Sequence, residues 1–229
     1  MSVFCRNDKK EYIKKLLAVL YLLTWFPAFA GMTFAADQPQ AVVFLSQDEL
    51  TPHQKTISRI QDYLTDLTTI VSDFTQVAPD GSLTNGKFFL ERPGRMRWQY
   101  NPPTPILMVS NGSELVYYDY ELEQVSHIPL DSTLIGFLAQ NPIRFAGTVG
   151  ITEFSQGAGV IRISLAQLDK PGDGELTLEF SDHPLLIRNM VIRDATQQVT
   201  TVSLNNARFG VKLDPQLFDF RDPRQGRRR

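Results

Sequence analysis

The chain has 229 residues, with 23 lysines and arginines against 25 aspartates and glutamates, three histidines and a single cysteine. That balance lacks the basic footprint that nonspecific nucleic-acid binding requires. One cysteine excludes an internal disulfide framework.

Arg6, Lys9, Lys10, Lys14 and Lys15 precede an apolar run from Leu16 to Phe26, broken only by Thr24. The run is too short for a bilayer span, which needs about 20 residues. Ala28-Phe29-Ala30 follows as a small-x-small site, and Thr33-Phe34-Ala35 offers a second. Residues 1–30 therefore read as a secretory signal, with cleavage as late as residue 36 also compatible. Removal after Ala30 leaves 18 basic against 23 acidic residues, a formal net charge of −5. Cys5 lies upstream of the apolar run, so no cysteine stands where a lipid would be attached. The expected product is soluble and exported.

Residues 37–50 read as a polar, loosely held leader. Thr51-Pro52-His53-Gln54 then supplies a hydroxyl cap, proline at the first helical position and glutamine three residues after the cap. Ile57, Ile60, Leu64 and Leu67 recur at helical spacing, which predicts an amphipathic helix of about four turns. The period then changes to two. Strands are predicted over 70–77, 82–91, 95–100, 106–110, 114–119 and 124–128, separated by turn chemistry such as Pro93-Gly94 and Asn111-Gly112. Residues 131–140 interrupt this antiparallel meander as a short helix capped by Asp131 or Ser132. Leu134, Phe137 and Leu138 fall on one side, and Gly136 weakens the helix by up to about 1 kcal/mol relative to alanine. A short apolar helix of that kind is a candidate for a moving lid. Strands resume around 161–165, 175–180, 185–193 and 198–206, and 217–220 is a candidate to close the sheet. Residues 221–229 form a basic tail. A single domain over 51–220 accounts for the rest.

Within the meander, Phe88, Leu90 and Arg92 share one strand face. A guanidinium ending an apolar row has two explanations: it snorkels to water at the strand end, or it marks the mouth of an apolar cavity and holds something shut. No catalytic constellation accompanies it. His53, His127 and His183 lie on separate elements without metal-ligand spacing, and no nucleophile elbow or phosphate loop occurs. Glu175 and Glu179 share a polar strand face, where solvation explains them better than acid–base work. No enzyme activity, cofactor or metal is expected.

Asp73-Phe74-Thr75-Gln76, then Gly86-Lys87-Phe88-Phe89-Leu90-Glu91-Arg92-Pro93-Gly94-Arg95-Met96-Arg97-Trp98, and the closing Phe218-Asp219-Phe220, resemble the periplasmic outer-membrane lipoprotein carrier family of the LolA type. The resemblance implies an incomplete antiparallel β-barrel of about eleven strands (mainly β with helices, α+β) under a helical lid over an apolar cavity. It implies lipoprotein acyl chains as cargo, received from an inner-membrane ABC-type releasing complex and handed to an outer-membrane acceptor by a monomeric carrier. It also implies that Arg92 clasps the lid through hydrogen bonds to the helices. On this basis Phe88, Leu90, Met96 and Trp98 are assigned to the cavity wall, and Leu134, Phe137 and Leu138 to the lid. Tyr117 and Tyr118 point to opposite faces, so one of them lines the cavity. A lipid- or peptide-sensing regulator with the same half-barrel is the alternative.

Overall fold

The computed structural model describes residues 42–224. The expected secretory signal, the start of the expected leader and the last five residues of the basic tail lie outside the described residues. Eleven strands form one antiparallel sheet: β1 (Thr69–Val77), β2 (Leu83–Glu91), β3 (Arg95–Tyr100), β4 (Ile106–Asn111), β5 (Glu114–Asp119), β6 (Gln124–Pro129), β7 (Val149–Gly157), β8 (Val160–Gln167), β9 (Gly174–Ser181), β10 (Leu186–Asp194) and β11 (Val199–Phe209). Their order is β6-β5-β4-β3-β2-β1-β11-β10-β9-β8-β7. Strands β1 to β6 and strands β7 to β11 pair in sequence order within each half, and a single seam between β1 and β11 joins the two halves. The sheet does not close: β6 and β7 are its two edges, and the connection between them carries the lid helix.

Strict alternation in β1 and β2 turns one face of each strand inward, and Ile70, Phe74, Phe88 and Leu90 are buried there. Register interruptions between Val71 and Asp73, Ile151 and Glu153, and Ile187 and Asn189 introduce the bends that curve a sheet. The whole of β4 and β5 is buried except at the ends, because the outer face is covered too. There Leu107, Val109 and Tyr118 pack with Val125 and Phe220 of the C-terminal segment. Tyr117 joins the inner cluster, which resolves which tyrosine faces the interior.

Four expectations are corrected. The eleventh strand is β7, not residues 217–220. Pro215–Phe218 is instead a single 3₁₀ turn, held where Arg97 Nη1 donates to the Leu217 carbonyl at 3.0 Å. The first helix begins earlier than Thr51, as α1 (Gln47–Leu50), and continues through a 3₁₀ turn, Thr51–His53, into α2 (Gln54–Asp66). Ser46 and Glu49 form a reciprocal capping box at its start. The end of the leader is docked, since the Leu45 N–H donates to the Ile151 carbonyl at 2.8 Å and lends β7 a partner on its open edge. The lid helix α3 spans Leu134–Leu138 and is capped by Thr133, not by Asp131 or Ser132. Residues Leu130–Ser132 form a separate 3₁₀ turn before it.

Candidate functional site

Helix α2 lies against the concave face with Ile57, Ile60 and Leu64 buried. Its outward residues tie it to the β7–β10 half. Arg59 Nη2 donates to Asp182, Gln156 Nε2 donates to the other oxygen of Asp182 at 2.8 Å, and the Ile187 N–H donates to the Tyr63 hydroxyl at 3.2 Å. Hydrogen bonds from Arg59 and then Gln156 hold the Asp182 carboxyl below its ordinary range. A carboxylate with a lowered folded-state pKa stabilises the fold above the unfolded value and loses that contribution on acidification, here below about pH 4. Asp182→Asn should therefore melt at a lower temperature than wild type at neutral pH, and the gap should narrow as pH falls below about 4. Melting curves collected across pH check this; a gap constant through the acid range contradicts it.

Arg92 stands one residue beyond β2, on the inner face, and is only 7 % exposed. Its main-chain N–H donates to the Thr68 carbonyl at 2.9 Å. Its guanidinium reaches two helix ends at once. Nη1 donates to the carbonyls of Leu64 and Leu67 (the latter at 2.6 Å), and Nε donates to the Leu138 carbonyl at 2.6 Å. The last carbonyls of a helix have no intrahelical donor, and the negative end of the helix dipole favours a cation there. Burial pushes the guanidinium down to about 10, so it remains cationic at neutral pH. Sequence reasoning missed a second tie: the Gly94 N–H donates to the Ala139 carbonyl at 2.8 Å. Gly94 has φ +78°, and a methyl group on it would stand 2.5 Å from the Gly112 Cα, so this turn requires glycine.

The cover continues past α3. Ile143 and Phe145 are buried, and their N–H groups donate to Thr65 Oγ1 at 3.2 Å and Gln61 Oε1 at 2.9 Å on α2. Phe137 meets Phe145 with ring centroids 5.8 Å apart. Gly136 has a purpose that helix propensity hides. A methyl group on it would stand 1.9 Å from the Leu130 carbonyl oxygen.

Phe88, Leu90, Met96, Trp98, Phe137 and Leu138 all enter one buried apolar cluster, with Leu134 half-buried against it. Register places Phe88 opposite Trp98 and Leu90 opposite Met96. Phe88 stacks on Trp98 at 4.1 Å, and Phe74 meets Trp98 and Tyr100 edge-on, each at 5.0 Å. The hollow expected beneath the cover is nearly filled by these side chains, leaving a cavity of about 40 Å³. Of the seven assigned residues, Trp98 alone borders it. The others on its wall include Tyr100, Met108, Ile135, Leu176, Met190 and Val202. Tyr100 and Met108 were accessible to period-two reasoning, since Tyr100 follows Trp98 on the same face and Met108 pairs with Trp98. The far wall comes from strands distant in sequence.

Among the described residues no helix is long and apolar enough to cross a membrane, and no group of three or more histidine, cysteine or acidic side chains is placed to hold a metal. Residues 65–221 match the model of a family described as outer membrane lipoprotein carrier protein LolA. The chain is 31 % identical over 188 residues to an outer-membrane lipoprotein carrier protein of Methylococcus capsulatus, spanning 79 % of this chain and 88 % of that one. It is 29 % identical over 179 residues to the protein of the same name from Azotobacter vinelandii, spanning 74 % and 86 %. A crystal structure of a LolA superfamily protein from Nitrosomonas europaea aligns at 10 % identity with a TM-score of 0.39, over 70 % of this chain and 97 % of that one. With an eleven-stranded open half-barrel covered by helices and a family match across most of its length, the chain belongs to the LolA family of outer membrane lipoprotein carrier proteins.

Proposed function

We propose that this protein is a periplasmic carrier that shelters the acyl chains of lipoproteins released from the inner membrane and delivers them to an outer-membrane acceptor. The observation that carries this reading is a buried cation whose three hydrogen bonds fasten a cover over a predominantly apolar interior. Hydrocarbon gains about 0.8 kcal/mol per methylene on leaving water, roughly 10 kcal/mol for a sixteen-carbon chain. Ligand pockets usually measure about 300–1,000 Å³, far above the 40 Å³ left in this closed form. Cargo entry therefore requires the cover to move, and Phe137, Leu138, Ile143 and Phe145 are the side chains whose withdrawal frees volume. Arg92 then acts as the clasp: its bonds break as cargo enters and re-form as cargo leaves, which offsets part of the cost of releasing the lipid. The donor complex on the inner membrane supplies the energy of loading.

Phe137→Glu tests the cover. Affinity for a palmitoylated lipopeptide, measured by fluorescence anisotropy, should fall at least about tenfold, because a carboxylate is costly in an apolar site. The circular dichroism of the sheet should be retained. Unchanged affinity would remove α3 from the binding site. Native mass spectrometry of periplasmic material separates the carrier from a sensing regulator: bound acylated lipoprotein supports the carrier, and free phospholipid alone supports the sensor.

A further inference from the structure

Two side chains inside the half-barrel hold donors with nothing to receive them. The Trp98 indole and the Tyr117 phenol are each 3 % exposed, and neither Trp98 Nε1 nor the Tyr117 hydroxyl has a hydrogen-bond partner among the described residues. They share the inner face of β3 and β5 and flank Met108 of β4, which is in register with both. Two strand spacings put their backbones about 10 Å apart. Trp98 and Met108 border the residual cavity.

Buried donors without acceptors are rare and costly, and each calls for an explanation. Packing does not supply one at Tyr117, since phenylalanine would place the same six-membered ring there with no stranded polar atom, and at Trp98 it accounts for the bulk of the indole but not for its unmatched N–H. Storage of plain hydrocarbon does not supply one either, because an alkyl chain accepts no hydrogen bond. A neighbouring polar pair in the same lining is satisfied: the Tyr100 hydroxyl donates to Gln76 Oε1 at 2.7 Å. Burial and the Asp119 carboxylate both push the Tyr117 phenol up, so it stays protonated and able to donate. The second oxygen of Asp119 is itself unmatched and makes no hydrogen bond to Tyr117.

We propose that Trp98 and Tyr117 are a donor pair for the ester carbonyl oxygens that link acyl chains to a glyceryl head group, so that the site recognises the acyl linkage as well as the chain. This inference rests on the carrier reading and narrows its ligand class from hydrocarbon to ester-linked acyl groups. Trp98 borders the cavity, and Tyr117 lies one strand beyond Met108 on the same face. When the cover withdraws, a carbonyl drawn in with its chain meets a donor instead of bare hydrocarbon.

The test compares two lipopeptides of equal chain length on the full chain, one with ester-linked acyl chains and one with ether-linked alkyl chains. Wild type should bind the ester probe about tenfold more tightly, as two modest hydrogen bonds imply. Trp98→Phe and Tyr117→Phe should each lower the ratio of ester to ether affinity about threefold. The double variant should bind both probes alike. Tyr117→Phe removes one oxygen and no packing, so it isolates the donor even if Trp98→Phe loosens the core. In the native chain, the indole N–H resonance of Trp98 should move downfield with the ester probe and not with the ether probe. Equal affinities in wild type, or a preference that survives in the double variant, overturns the proposal and leaves the carrier reading standing. Binding of neither probe overturns the carrier reading as well.

Discussion

Arg92→Leu leaves the half-barrel folded and slows delivery of acylated cargo to an acceptor by at least about tenfold. The substitution deletes three charge-assisted hydrogen bonds, each worth about 1.5–3 kcal/mol, and strands the carbonyls of Leu64, Leu67 and Leu138. It also removes a cation that is expensive to bury, so the net loss of stability is far smaller than the sum of the bonds. The sheet is untouched, because its pairing and its apolar rungs do not pass through Arg92. The closed empty form loses its advantage over the loaded one, and each 1.4 kcal/mol of that advantage is worth about tenfold in the release equilibrium. Arg92→Lys should recover part of the activity at most, since an ammonium is a point charge and does not reproduce the guanidinium's planar fork. Loaded carrier mixed with acceptor, with the transferred lipopeptide counted over time and a thermal melt alongside, gives both quantities. Transfer at the wild-type rate would remove the clasp from the mechanism.

Gly136→Ala has the opposite sign from the one helix propensity alone dictates. In an isolated helix the change stabilises by about 1 kcal/mol. Here the new methyl group meets the Leu130 carbonyl oxygen at 1.9 Å, and the obstacle is backbone. The turn Leu130–Ser132 and α3 are already bound together through Thr133, whose hydroxyl donates to the Leu130 carbonyl and accepts from the Gly136 N–H, both at 2.9 Å. Neither partner can yield without breaking that cap. Overpacking of this kind costs about 1–3 kcal/mol and occasionally more. The expected outcome is a lower melting temperature and a cover displaced from the sheet, read as increased binding of a dye that fluoresces on apolar surface. A variant more stable than wild type would show that propensity outweighs the contact.

The row Phe88, Leu90, Arg92 was legible because period two runs unbroken through β2 and one residue past it. What Arg92 touches was legible only through the family resemblance, which implied hydrogen bonds to the helices, and not from the residues around it. Its acceptors are main-chain carbonyls at helix ends, and no side-chain pattern announces a carbonyl. Strand β7 escaped for a different reason: the register shift between Ile151 and Glu153 breaks the alternation that identifies a strand, so Phe154 falls out of phase with Val149 and Ile151. The start of the first helix was written in the sequence, since Ser46-Gln47-Asp48-Glu49 has the spacing of a capping box. Pro52 masked it by offering a second plausible start within the same helical stretch. The cavity wall illustrates the larger difficulty. Trp98 was identified from its own strand, whereas Leu176, Met190 and Val202 reach the same space from strands across the β1–β11 seam.

Among the described residues Arg92 has no acidic counterpart. Among the described residues its hydrogen bonds end on three peptide oxygens, and no carboxylate pairs with it. Dissolved ions screen exposed charge pairs strongly and sheltered contacts between a charge and fixed dipoles much less. No member of the contact gains or loses a proton between mild acid and mild alkali. A fastening built this way holds with nearly the same grip when the surrounding fluid turns saltier or sourer.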